Sequence, residues 1–200
     1  EIIDGGTLTK FGRHIQRLGV HDRLSWCLIW ANLARNSALV NWYVSTVPHG
    51  TMNDKAGLVQ LMGDGLGERT RSNAATSLIQ LFRHTPLGGD LGLGEVAQQG
   101  RSTLVTKHYA RELPQLAILY SLYRLAESLE STELSLAAVM NSRVEGPAAL
   151  YGLSEDALVR NLQGISTQYP QLLHVEFARG LDGVYLQDGV EPLEVLAVAE

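Results

Sequence analysis

Residues 172–186, LLHVEFARGLDGVYL, alternate apolar and polar side chains on either side of a glycine-containing turn, and they follow a long stretch of mainly helical pattern. No other segment limits the fold as much. The period of two predicts a β-hairpin with Val175, Phe177, Val184 and Leu186 facing inward, and Gly180 and Gly183 supplying the positive φ of a tight turn. The elements that precede it are a helix from Pro114 to about Ser128, a brief extended Glu133-Leu134-Ser135, a helix over LAAVMNSR and a loop over 144–153. A last helix, capped by Ser154 and stopped by Pro170, carries Leu158, Leu162, Ile165 and Tyr169 on one face. Helix, short strand, two helices and hairpin is the chain order of a winged helix, in which the short strand pairs with the hairpin.

The first half reads as a looser version of the same order. Leu8, Phe11, Ile15 and Leu18 recur at helical spacing with Lys10, Arg13, His14 and Arg17 between them, predicting an amphipathic helix with a basic outer face. Asp22 caps a second helix that is apolar nearly all round, and a third, from Ala38, stops before Pro48. A short helix over NDKAGLVQLM, the glycine break GDGLGE and the helix RTRSNAATSLIQLFRHT form a helix-turn-helix pattern. The glycine-rich LGGDLGLGE reads as a loop, and STLVTKHY as a strand. The expectation is a mainly α protein with small β-hairpins, built as an N-terminal helical segment (1–50) and two tandem helix-turn-helix or winged-helix units (51–111 and 112–200).

A chain 45% hydrophobic and 18% charged can bury a core, which excludes a disordered polypeptide. Cys27, alone and inside WCLIWA, excludes an internal disulfide and predicts a buried thiol with no thiolate metal site. The apolar run from Leu24 to Val47 is broken by Asn32, Arg35, Asn36 and Asn41, so no membrane helix is expected, and the cytoplasm is the expected location. Beginning on Glu1 instead of Met, the chain reads as part of a longer protein. Net charge is −5 but unevenly spread: residues 1–111 carry 12 Lys+Arg against 8 Asp+Glu (+4), and 112–200 carry 4 against 13 (−9). The halves are expected to meet different partners.

The strongest candidate contact surface is the helix around residues 69–83. Placed in a DNA groove, Arg69, Arg71, Ser72, Asn73 and Thr76 would face bases and phosphates, with Arg83 and Lys107 holding the backbone and Arg179 reaching out from the C-terminal turn. The competing reading makes these residues the solvated face of a helix whose other side is core. A positive stripe along 69–83 and 101–107 would favour DNA; an apolar or acidic patch there would favour a protein partner. The acid-rich second unit suits protein contact better than phosphate. GDGLGE lacks the strand and the Lys-Ser or Lys-Thr of a phosphate loop. The six histidines are scattered and no catalytic carboxylate pair or nucleophile motif appears, so neither a metal site, a cofactor nor an enzymatic activity is expected.

The segments LTKFGRHI, WCLIWANLARNSALVNWYV and YGLSEDALVRNL with LLHVEFARGLDGVYLQ and PLEVL resemble an uncharacterised bacterial family. Its genes lie beside phosphoadenosine-phosphosulfate-reductase-like sulfurtransferases in loci for DNA phosphorothioation and phage defence. The resemblance covers most of the chain and rests on structural motifs, none of them catalytic. It implies a DNA-binding or adaptor role in such a system, with duplex DNA or a sulfurtransferase-like enzyme as partner. Members of that family have a further helix-turn-helix-like segment upstream, and a more basic helix where this chain has RSNAATSLIQLF.

Overall fold

The computed structural model describes residues 2–142, 144–178 and 181–198. A minimal hairpin, β1 (Ile3–Asp4) with β2 (Thr7–Leu8), precedes three helices, α1 (Lys10–Leu18), α2 (Arg23–Asn36) and α3 (Ala38–Thr46). Their starts are fixed by short polar side chains: Thr9 accepts from the Gly12 N–H, Asp22 from that of Ser25 and Ser37 from that of Val40. Val47, the residue before Pro48, is extended, and α3 ends there.

Two units with the same strand order follow, the second with one helix more. In the first, α3 leads into β3 (Thr51–Asp54), α4 (Lys55–Leu61), α5 (Glu68–His84), β4 (Glu95–Gln99) and β5 (Ser102–Lys107), with the antiparallel sheet ordered β3-β5-β4. In the second, α6 (Gln115–Leu129) leads into β6 (Glu133–Ser135), α7 (Leu136–Asn141), α8 (Pro147–Tyr151), α9 (Glu155–Gln168), β7 (Leu173–Ala178) and β8 (Leu181–Leu186), ordered β6-β8-β7. A short α10 (Val195–Val198) closes the described chain. In both sheets the last strand is central, flanked by its hairpin partner and by the short strand that precedes the unit's second helix. Val175 pairs with Val184, and Val184 also with Leu134; in the first unit Val105 pairs with both Val96 and Asn53.

Several elements differ from expectation. Strand β3 has no alternation to betray it, and its last residue, Asp54, doubles as the cap of α4 by accepting from the Gly57 N–H at 2.7 Å. Strand β4, EVAQQ, is an edge strand whose outer residues face water, so its apolar content is low. The expected loop at 144–153 holds α8, whose Pro147 sits at the first helical position, where its missing N–H costs nothing. Gly183 is not a positive-φ turn residue: it lies within β8, paired with Glu176 and Ser135. Gly180 lies outside the described residues.

Two apolar cores are packed on opposite faces of α6. One gathers α1 to α5, the 87–93 segment and α8, and the other gathers β6, α7, α9, β7 and β8. Ala117 and Tyr120 of α6 enter the first, while Ile118, Leu119, Leu122 and Tyr123 enter the second. At the centre of the first, Trp30, Tyr43 and Phe82 pack with ring centroids 5.0–6.1 Å apart. Their neighbours tie the halves together: Trp30 Nε1 donates to the Leu150 carbonyl at 3.0 Å, and the Tyr151 hydroxyl to that of Cys27 at 3.2 Å. The N-terminal helices thus share a core with the first unit.

Candidate nucleic-acid interface

Helix α5 is held by one apolar stripe, Ala75, Leu78, Ile79 and Phe82, all buried. Helical geometry then turns Arg69, Asn73, Thr76, Gln80 and Arg83 outward along the opposite side, and all five are exposed. The turn before it depends on Gly63, at φ +67°, where a side chain would be strained. Arg71 braces this turn, donating from Nη1 to the Gly63 carbonyl at 2.6 Å and pairing with Asp64 at 3.1 Å. Its guanidinium is largely spent on structure, although its Nε is buried without a partner.

Between α4, α5 and the turn joining β4 to β5 lies a cleft of about 840 Å³. Lys55, Arg71, Arg83 and Arg101 contribute positive charge to it, and Asp54 and Glu68 negative charge. Val59 and Ile79 give it an apolar floor, and Ser72, Thr76, Ser102 and Thr103 hydroxyls. Among the described residues, Lys55, Arg69, Arg83 and Arg101 are exposed and form no ion pair.

The structure therefore brings together most of the residues singled out from sequence. Arg69, Asn73, Thr76 and Arg83 share the outer face of α5; Ser72 and Arg71 are half-buried at the edge of the cleft. Arg101 extends the positive stripe from the neighbouring hairpin. Lys55 was not singled out, since a lysine directly after a capping aspartate has the pattern of any helix start. Arg179 lies outside the described residues.

Lys107 requires correction. It was expected to reach a DNA phosphate, but it is 1% exposed, and its Nζ donates to the carbonyls of Tyr43, Val44 and Val47 at 3.1, 3.0 and 2.6 Å. All three ammonium protons are used inside the protein, and the group lies 5.0 Å from the Tyr43 ring centre. These carbonyls belong to the end of α3, where helices leave acceptors unpaired and favour a cation. The alternation of STLVTKHY carried the right signal, because it puts Lys107 on the same face as Val105.

Other reactive groups sit apart from the cleft. Cys27 is fully buried, and desolvation pushes its thiol up to about 12. His49 stacks on Tyr109 at 5.6 Å; burial, and then the nearby Lys107 charge, bring its imidazole down to about 4, and its Nε2 has no partner. Burial likewise lowers Lys107 to about 8. Among the described residues no group of three or more His, Cys, Asp or Glu is placed to hold a metal ion, and no helix is long and apolar enough to cross a membrane.

No protein-family model matches the chain, and no curated protein matches it. Solved structures that share its fold include a magnesium ion-bound SspB crystal structure, at TM-score 0.57 and 19% identity over 80% of this chain and 53% of that one. A second SspB crystal structure matches at TM-score 0.56 and 19% identity, over 80% and 52%. The chain thus spans about half the length of the SspB chains, and the likeness is one of fold.

Proposed function

We propose that this chain is a non-catalytic, DNA-binding component of a bacterial DNA-modification or defence system, acting in the cytoplasm through two tandem winged-helix units. In the first unit α5 is the helix that enters the groove, and the turn between β4 and β5 is the wing beside it. The identical strand order of the two sheets supports the winged-helix reading. The observation that carries the DNA reading is the outward face of α5: Arg69, Asn73, Thr76 and Arg83 in a row, flanked by Lys55 and Arg101, with four cations that form no ion pair among the described residues. Arginine and asparagine are the side chains that pair with guanine and adenine edges, and free cations release counterions from phosphates.

Duplex binding measured at two salt concentrations tests this. Wild type should lose affinity steeply as salt rises, and Arg69→Ala with Arg83→Ala should flatten the log–log slope by about 0.9 for each phosphate contact removed. Binding that ignores both salt and the substitutions would overturn the reading.

A second reading has its own support in the other unit. A cleft of about 650 Å³ between α6 and the 188–192 segment is lined by Glu127, Glu130, Glu133, Asp188 and Glu191, a surface that repels phosphate. On this reading the chain is an adaptor that docks on a sulfurtransferase-like enzyme without touching DNA. Absence of duplex binding by wild type, with retention of such an enzyme, would select it.

A further inference from the structure

We propose that the cleft between α4, α5 and the β4–β5 turn is a binding site for a nucleoside phosphate, supplied either as a free mononucleotide or as an unpaired nucleotide at the end of a strand. The site adjoins the outward face of α5 and shares Thr76, Gln80 and Arg83 with it, but Arg69 and Asn73 do not line it, and Ala56, Val59 and Gln60 of α4, which do, are not on that helix. Its volume of about 840 Å³ lies in the range of about 300–1,000 Å³ over which clefts enclose small ligands.

The lining divides into parts that match the parts of a nucleotide. Lys55, Arg83 and Arg101 bring three cations that form no ion pair among the described residues, and Ser72 and Ser102 bring hydroxyls, the groups that hold phosphate oxygens. Val59 and Ile79 form an apolar floor on which a flat base can lie. The Gln80 carbonyl oxygen is engaged by His84 Nε2 at 2.9 Å, which leaves its amide N–H groups to donate to a base edge, and Gln60 offers a second amide.

The two carboxylates do not cancel this. Against the three cations they leave a positive balance; Asp54 caps α4 through the Gly57 N–H, and Glu68 is an acceptor of the kind that takes ribose hydroxyls or an exocyclic amino group. A simple anion would leave the apolar floor uncovered. A large apolar ligand would leave three cations unpaired. A nucleoside phosphate satisfies both.

Three probes test the assignment by calorimetry and fluorescence anisotropy: adenosine and guanosine 5′-monophosphates, inorganic phosphate, and a duplex carrying a one-nucleotide overhang set against its blunt counterpart. Ala56 is exposed at the start of α4, so Ala56→Phe plugs the cleft without entering the core. This variant should lose mononucleotide or overhang binding at least tenfold while keeping blunt-duplex affinity; Gln60→Glu, on an exposed position of α4 that lines the cleft and is not part of the duplex face, should lose it by a similar factor. Arg69→Ala with Asn73→Ala should do the reverse, so that failure of the duplex reading and failure of this one give different results. Preference for the overhang alone identifies a strand end as the source, and binding of the monophosphates identifies the free nucleotide. Wild-type protein that binds neither, or binds phosphate as tightly as the nucleotides, or a plugged cleft that binds unchanged, would overturn the proposal.

Discussion

Lys107 and His49 are two basic side chains whose chemistry the fold alters strongly. Replacing Lys107 by Met keeps the apolar stem but leaves carbonyls at the end of α3 without their donor, and stability should fall by about 2–4 kcal/mol in urea unfolding at neutral pH. His49 gives the fold an acid sensitivity. Its folded value of about 4 lies below the ordinary 6.5, so the unfolded chain takes up the proton first, and stability present above pH 6.5 is lost as pH falls toward 4. The loss should amount to about 1–2 kcal/mol, since the ring is partly exposed and keeps some hydration. His49→Gln should remove most of the difference between urea midpoints at pH 7 and pH 4.5; an unchanged difference would refute this origin. The sequence shows neither effect plainly, because a lysine in a strand and an isolated histidine acquire these properties only from what α3 and Tyr109 place around them.

Elements were legible where the pattern and the cap agreed. Asp22 and Ser154 cap their helices as their positions suggest, and the stripe of α5 lies where its spacing puts it. Strands β3 and β4 were not legible, because an edge strand needs little apolar surface and most of its pairing is with backbone. The glycine-rich segment between α5 and β4 shows why such stretches resist reading. Gly94 is needed for close approach, since a Cβ there would overlap the Phe82 ring. Gly94→Ala should therefore lower stability by about 1–3 kcal/mol, seen as a lower melting temperature. A change at the turn tip Gly100, where a Cβ meets nothing, encounters only its positive φ. The outer face of α5 was readable from spacing alone, whereas the cleft beside it needed α4 and a hairpin distant in sequence.

At the scale of the molecule, the two cores share α6 as a common wall, and hydrogen bonds from Trp30 and Tyr151 cross between the halves. This coupling predicts a single unfolding transition. All three tryptophans, 26, 30 and 42, are in the first half, so their fluorescence reports on the first core. Leu162→Ala, a fully buried residue of the second core, should cost about 2–5 kcal/mol and shift the tryptophan midpoint together with that of far-UV circular dichroism. A tryptophan transition left in place would show that the units unfold separately. The division by charge, positive in the first half and negative in the second, came directly from composition; the shared wall did not, because a helix that is apolar on two sides gives no sign of which neighbour each side meets.

The burial of Lys107 also bears on how the first sheet avoids mispairing. A one-residue slip of β5, the central strand, would exchange Val105 and Lys107 for Leu104 and Thr106 on the inner face and strand the ammonium outside its ring of acceptors. An all-apolar strand could tolerate that shift with little penalty, but this one cannot. A single charged side chain therefore selects the correct alignment for a short sheet that has few other features to enforce it.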